Sequence, residues 1–144
     1  MTVNWVAVLL RVAGVVMLLL VPLNLFDVPR RFRWKEEMAA LSLLNRQIFW
    51  VHSWFLCLML AQMGLLALFY AGPLLEPTPL TRAVNGGLAF FWLVRLLMQW
   101  FVYSPEIWRG HRLYTVMHYV FTAIWILLTA AFTFAWLRTC GWIA

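Results

Sequence analysis

The chain contains four apolar stretches, each about as long as a membrane-spanning helix. They cover residues 5–26, 47–70, 84–104 and 114–137. A helix needs about 20 mostly apolar residues to cross the hydrocarbon core of a bilayer. Prolines and charged residues fill the segments between them, and proline interrupts helices. We therefore predict an all-α fold, a four-helix transmembrane bundle that forms one domain over residues 1–144.

The composition indicates that lipid is the solvent of this chain. Of its 144 residues, 65% are hydrophobic and 11% are charged, whereas a soluble domain has about 25% charged residues. A water-soluble fold of this size cannot bury so much apolar surface. The ten tryptophans agree with this interpretation, because indole rings favour the membrane interface. An ordinary soluble domain is therefore excluded.

The segment "DVPRRFRWKEEMAALSLLNR", residues 27–46, differs from the rest of the chain. It begins with a cluster of basic residues, after which apolar residues recur at helical spacing. A basic face opposite an apolar face is typical of a helix that lies in the plane of the membrane interface. We predict an amphipathic interfacial helix over 27–46 that runs into the second span. The alternative is a plain helical extension of that span with a solvated basic turn.

The distribution of positive charge predicts the orientation of the chain. One side of the membrane carries seven basic residues, here called the basic surface: Arg30, Arg31, Arg33, Lys35, Arg46, Arg109 and Arg112. The other side carries Arg82 and Arg138, with Arg11 nearby. Basic loops stay in the cytoplasm, so we predict a multi-pass inner-membrane protein with both termini outside, in the periplasm. The net charge of +6 then indicates contact with anionic lipids or a partner, and no nucleic acid is expected.

The stretch "FWLVRLLMQWFVY", residues 91–103, places Arg95 inside an apolar span. Arg95, Gln99 and Tyr103 follow one another at four-residue spacing, so they share a helix face. An ionisable residue inside a span is energetically costly and indicates a functional site. No acid lies within a span to pair with it. The candidate acceptors are a backbone carbonyl, a bound anion or lipid, a partner subunit, and the side chains of Gln62 and Thr122. Two interpretations stay open: Arg95 fixes helix packing, or it contacts a ligand or partner.

Two histidines give a redox alternative. His52 and His118 each lie a few residues inside a span, and both spans start at the same membrane face. Their imidazoles should therefore lie at similar depth, as the two axial ligands of a b-type haem do. Such a protein would transfer electrons, with a quinone as a suitable partner. An interfacial histidine that hydrogen-bonds a neighbouring helix is the simpler interpretation, because bulky aromatic residues surround both positions.

The sequence contains no recognisable catalytic constellation. All five acids lie outside the apolar stretches, and the two cysteines, Cys57 and Cys140, form no CxxC pair. We therefore predict no catalytic residues and no metal site. An enzyme that acts on a lipid, with Arg95 holding its anionic head group, is a third alternative, and no acid–base pair supports it.

The stretches "LSLLNRQIFWVH" (41–52) and "FWLVRLLMQWFVY" (91–103) resemble segments of small four-span bacterial membrane proteins. This resemblance implies no function. From the residues we expect a non-catalytic subunit or accessory factor of a membrane assembly, which acts through helix packing and through lipid or partner contacts. We expect no cofactor, with haem b as the alternative, and association with other membrane subunits or with further copies of the chain.

Overall fold

The computed structural model describes residues 4–104, 106 and 112–143, and within these ranges it contains helices but no strand. The all-helical prediction is therefore confirmed for the described residues. The α-helices are α1 (Trp5–Pro22), α2 (Val28–Arg31), α3 (Trp34–Glu37), α4 (Leu43–Phe69), α5 (Ala71–Leu74), α6 (Pro79–Phe101) and α7 (Arg112–Thr139).

Four helices in the described part of the chain are long and apolar enough to cross a membrane. They are Trp5–Arg31, which contains α1 and α2, and the helices α4, α6 and α7. Their mean hydropathy ranges from 1.2 to 2.6. They overlap the four predicted stretches, as expected for a multi-pass membrane protein.

Local side-chain contacts explain where three of the long helices begin. Asn4 accepts a hydrogen bond from a backbone N–H in the first turn of α1, and Ser42 does the same for α4. Thr78 and Thr81 form a reciprocal capping box at the start of α6, where Pro79 occupies the first helical position. These oxygens satisfy N–H groups that have no acceptor within the helix.

The segment 27–46 is not one continuous helix. The first long helix continues past Pro22 through a π-helical turn, Leu23–Asp27, into α2. The backbone then turns at Arg33, whose φ of 49° and ψ of 39° are left-handed, and this conformation ends a right-handed helix. After α3 and a short 3₁₀ turn, Leu41 is extended. The predicted interfacial helix is therefore replaced by short helical pieces, because the backbone leaves the helical region at Arg33 and again at Leu41.

Two pairs of helices pack closely. In the first pair, α1 crosses α4 at Gly14 and Gly64, which are both buried. A Cβ atom on Gly14 would lie 2.7 Å from the backbone nitrogen of Leu68 and 2.8 Å from the carbonyl oxygen of Gly64. Glycine at these positions therefore permits the backbones to approach one another.

The second pair consists of α6 and α7. The rings of Trp92 and Trp125 stack between them, with centroids 5.5 Å apart and an interplanar angle of 14°. The pairs also meet where α1 contacts α7, and Trp5 packs edge-on against Phe134 with centroids 5.2 Å apart. The buried apolar side chains of all four long helices form one core cluster.

Candidate functional site

A pocket of about 430 Å³ lies in the half of the structure that is nearer to the basic surface. Because α4 packs on α1 and α6 packs on α7, this pocket occupies the gap between the two helix pairs. Its walls are largely aromatic and include Trp92, Phe121 and Trp125. Small-molecule sites in proteins commonly have volumes of about 300–1,000 Å³. The pocket is therefore large enough to hold a ligand or a side chain of a partner.

Arg95 is half-buried and lines this pocket. It lies roughly 9 Å before the end of α6 at Phe101, at a rise of 1.5 Å per residue. Its guanidinium carbon is 4.5 Å from the ring centroid of Trp125 and 5.9 Å from that of Tyr103. Both distances allow an attraction between the cation and the ring face. The aromatic rings thus help to hold the charge at the pocket.

Gln99 connects Arg95 to the facing helix α7. Its Oε1 atom accepts hydrogen bonds from Arg95 Nη1 and from Trp125 Nε1, each at 3.2 Å. Its Nε2 atom is 3.0 Å from His118 Nδ1. Arginine and tryptophan side chains are donors only, so the Gln99 oxygen must face them and its amide nitrogen must face His118. Gln99 therefore joins three side chains and fixes their relative positions.

The orientation of Gln99 also assigns the proton of His118. An amide nitrogen can only donate, so Nδ1 of His118 accepts, and the neutral imidazole carries its proton on Nε2. Thr122 donates to the backbone oxygen of His118 at 2.7 Å. The bond from Gln99 therefore positions the imidazole, while the bond from Thr122 is to the main chain of the same helix.

The structure brings Arg95, Gln99 and Tyr103 together at the pocket, as their spacing predicted. The acceptor for Arg95 was not foreseen. It is Gln99, one helical turn away, whereas Gln62 is exposed on α4. Spacing of four residues on one helix could have indicated this bond. The contacts with Trp125 and His118 depend on how α7 is rotated against α6, which the sequence does not show.

No carboxylate within the described ranges forms an ion pair with Arg95, and none lines its pocket. The ion pair that the described residues contain joins Arg33 and Glu36 on the exposed surface. A guanidinium that is partly removed from water favours a charged or hydrogen-bonded acceptor. Arg95 therefore makes the pocket attractive to anionic groups.

The two predicted haem ligands are not brought to one pocket. His118 lines the Arg95 pocket, whereas His52 is exposed and does not line it. The Nδ1 atom of His52 is 2.8 Å from the backbone oxygen of Ile48 on its own helix. A metal-bound histidine normally donates from its other ring nitrogen, but His118 Nδ1 accepts from Gln99. Both observations weigh against a haem held between these residues, and the redox alternative stays an untested prediction.

Most of the predicted basic surface is accessible. Five of its members are exposed, namely Arg30, Arg31, Arg33, Lys35 and Arg112, and Arg46 is half-buried. Arg109 lies outside the described residues. Near this surface Phe32 stacks on Tyr114 with centroids 5.5 Å apart, and both rings line the Arg95 pocket. The turn between α2 and α3 thus covers the end of the pocket that is nearest to the basic surface.

Comparison of the chain with protein-family models, curated proteins and solved structures finds no match. Within the described residues, no group of three or more His, Cys, Asp or Glu side chains is arranged to hold a metal ion.

Proposed function

We propose that this chain is a non-catalytic subunit or accessory factor of a membrane assembly, and that it makes its functional contact in the Arg95 pocket. The observation that supports this proposal is the position of Arg95. It lies within an apolar helix at an open pocket, with no carboxylate of the described residues beside it. An ionisable residue in such a place indicates function.

The chemistry of the pocket favours binding over catalysis. Arg95 is surrounded by the amide of Gln99, the indole of Trp125 and the ring of Tyr103, and neither the amide nor the indole is a nucleophile or a general base. The Nδ1 lone pair of His118 is bound by the amide of Gln99. Such a network holds a cation in place and presents it to a bound group.

The proposal includes a membrane arrangement. The four long helices would pack as a transmembrane bundle in the inner membrane, with the basic surface in the cytoplasm and both termini outside. The short helical pieces between α1 and α4 would lie at the interface, where exposed residues such as Arg30 and Lys35 contact anionic headgroups or a soluble partner. Other membrane subunits or further copies of the chain would complete the assembly.

Replacement of Arg95 by methionine tests the proposal. We expect the Arg95→Met variant to lose the molecules or subunits that co-purify with the wild-type chain in mild detergent, because the contact requires the guanidinium. The matched control is Arg11→Met, which removes an exposed arginine from another long helix. The measurement is quantitative mass spectrometry of the co-purifying proteins and lipids, with a thermal melt of each variant. If Arg95→Met keeps its partners but melts at a lower temperature, Arg95 is a packing residue and the proposal is wrong.

The orientation has its own test. We expect an alkaline phosphatase domain fused after Ala144 to be active, because this enzyme folds only outside the cytoplasm. The same domain inserted after Ala39, between α3 and α4, should be inactive, since the positive charges nearby stay inside. Activity measured in intact cells distinguishes the two sides. If the fusion at Ala39 were active and the fusion at Ala144 inactive, the orientation of the chain would be opposite to the one proposed.

A further inference from the structure

We infer that the Arg95 pocket binds an anionic amphiphile, with a carboxylate or phosphate head at Arg95 and a hydrocarbon chain between α4 and α6. This inference rests on the proposed function, and it names the chemical class of the bound molecule. It follows from the donors that the pocket presents and from its apolar opening toward the lipid.

The first observation is a surplus of hydrogen-bond donors. Arg95 carries five N–H groups in a planar fork, and its bond to Gln99 engages Nη1. Trp92 lies one helical turn earlier, lines the same pocket and is 2% exposed. Its Nε1 atom has no hydrogen-bond partner within the described residues. The planar guanidinium suits the oxygens of a carboxylate or phosphate, and the indole N–H of Trp92 is a further donor, unused among the described residues, one turn away on the same helix.

The second observation is that nearby acceptors are already engaged. The Oε1 atom of Gln99 accepts from Arg95 and Trp125, and Nδ1 of His118 accepts from Gln99. The acceptors next to Arg95 are therefore occupied, while its own N–H groups can donate to a bound molecule. A cationic ligand would meet the charge of Arg95, whereas an anionic oxygen would neutralise it.

The third observation concerns the apolar side of the pocket. Leu56, Leu60 and Met63 of α4 line it together with Phe91 of α6. Leu56 is 50% exposed and Phe91 is 41% exposed, so the pocket reaches the surface that lipid would cover. With the end of α6 at the membrane interface, as proposed above, Arg95 would lie roughly 9 Å from that end, near the boundary between headgroups and acyl chains. An amphiphile in the bilayer could thus place its head at Arg95 and leave its chain along α4 and α6.

Two sources share this chemistry, namely a free fatty acid and an anionic phospholipid. The test uses the full chain in an uncharged detergent and measures binding by native mass spectrometry. The probes are oleate and dioleoyl phosphatidate, with oleyl alcohol and dioleoyl phosphatidylcholine as their counterparts without net charge. We expect at least one of the two anions to bind more tightly than its counterpart.

Variants identify the groups that bind the head. Arg95→Met should weaken binding of the anion by about tenfold or more, because charge-assisted hydrogen bonds are lost. Arg11→Met removes the same charge elsewhere and should leave the affinity unchanged. Trp92→Phe keeps an aromatic ring against Trp125 but removes the N–H group, and should weaken the anion severalfold. A thermal melt of each variant shows whether it is folded.

Each outcome has a separate meaning. Binding of both anions through Arg95 supports the inference, and selective binding of oleate or of phosphatidate supports it while identifying the source. Equal binding of charged and uncharged probes, unaffected by Arg95→Met, overturns the inference but leaves the proposed function standing. If no probe binds while a co-purifying subunit depends on Arg95, the inference again fails and the proposed function survives. If Arg95→Met changes neither the probes nor the co-purifying molecules, both are wrong.

Discussion

The Gly14→Ala variant should unfold more easily than the wild-type chain, with a free energy of unfolding lower by about 1–3 kcal/mol. The added Cβ atom would lie 2.7 Å from Leu68 N and 2.8 Å from Gly64 O. Both are backbone atoms, so no side chain can rotate away, and α1 and α4 must separate. Unfolding in mixed micelles of dodecyl maltoside and sodium dodecyl sulfate measures the change.

Gly87→Ala is the matched control for this experiment. Gly87 also lies within a long helix, but a Cβ atom there would meet nothing within 4 Å. We expect this variant to be as stable as the wild type or more stable by up to about 1 kcal/mol, because alanine favours the helix more than glycine does. If Gly14→Ala were as stable as Gly87→Ala, the close contact of α1 and α4 at Gly14 would be contradicted.

The second large effect is expected for Gln99→Leu. This substitution keeps a side chain of similar size but removes the hydrogen bonds to Arg95, Trp125 and His118. The bonds to Trp125 and His118 join α6 to α7, and a hydrogen bond between membrane helices contributes about 0.6 kcal/mol on average, so these two amount to about 1 kcal/mol. The bond to Arg95 lies within α6 and adds to this loss. The loss should also free the guanidinium of Arg95 and weaken whatever binds at the pocket. The same micelle titration measures the stability of the variant.

Gln62→Leu provides the control for Gln99→Leu. Gln62→Leu is the same substitution in another long helix, α4, at a position where the side chain is exposed. We expect this variant to be as stable as the wild type or slightly more stable, because leucine is better accommodated in lipid. Equal losses at Gln62 and Gln99 would contradict the role of Gln99 as the junction between α6 and α7.

The sequence was sufficient to predict the four long helices, because hydrophobic length alone identifies a membrane span. It also indicated that Arg95, Gln99 and Tyr103 share a face, since a helix repeats every 3.6 residues. It did not predict the break at Arg33, where a residue other than glycine adopts a left-handed backbone. Such a conformation is rare for arginine, so the local sequence does not predict that the helix ends at this residue.

Helix contacts were harder to predict than helices. Among the glycines, Gly64 and Gly86 do meet a neighbouring helix closely, as expected for small residues. Gly87, the next residue after Gly86, has open space beside it, and Gly14 makes closer contacts than either. One residue rotates a side chain by about 100° around a helix. The side of a helix that contacts its neighbour is therefore determined by packing, and it cannot be predicted from the pattern of a single sequence.

The same limit explains what was missed at the candidate site. The pairing of Gln99 with His118 and the stacking of Trp92 on Trp125 both join α6 to α7. They depend on the relative rotation of two helices. His118 was grouped with His52 by depth alone, and the structure places only His118 at the Arg95 pocket.

A native mass spectrum of the purified chain distinguishes a functional contact at Arg95 from a role in helix packing alone. Wild type, Arg95→Met and Arg11→Met would be released from the same mild detergent. We expect the wild type and Arg11→Met to carry a bound lipid or subunit that Arg95→Met lacks, while all three melt at similar temperatures. An identical set of bound molecules in all three, with Arg95→Met melting lowest, would mean that Arg95 only joins helices and that its pocket is not the functional site.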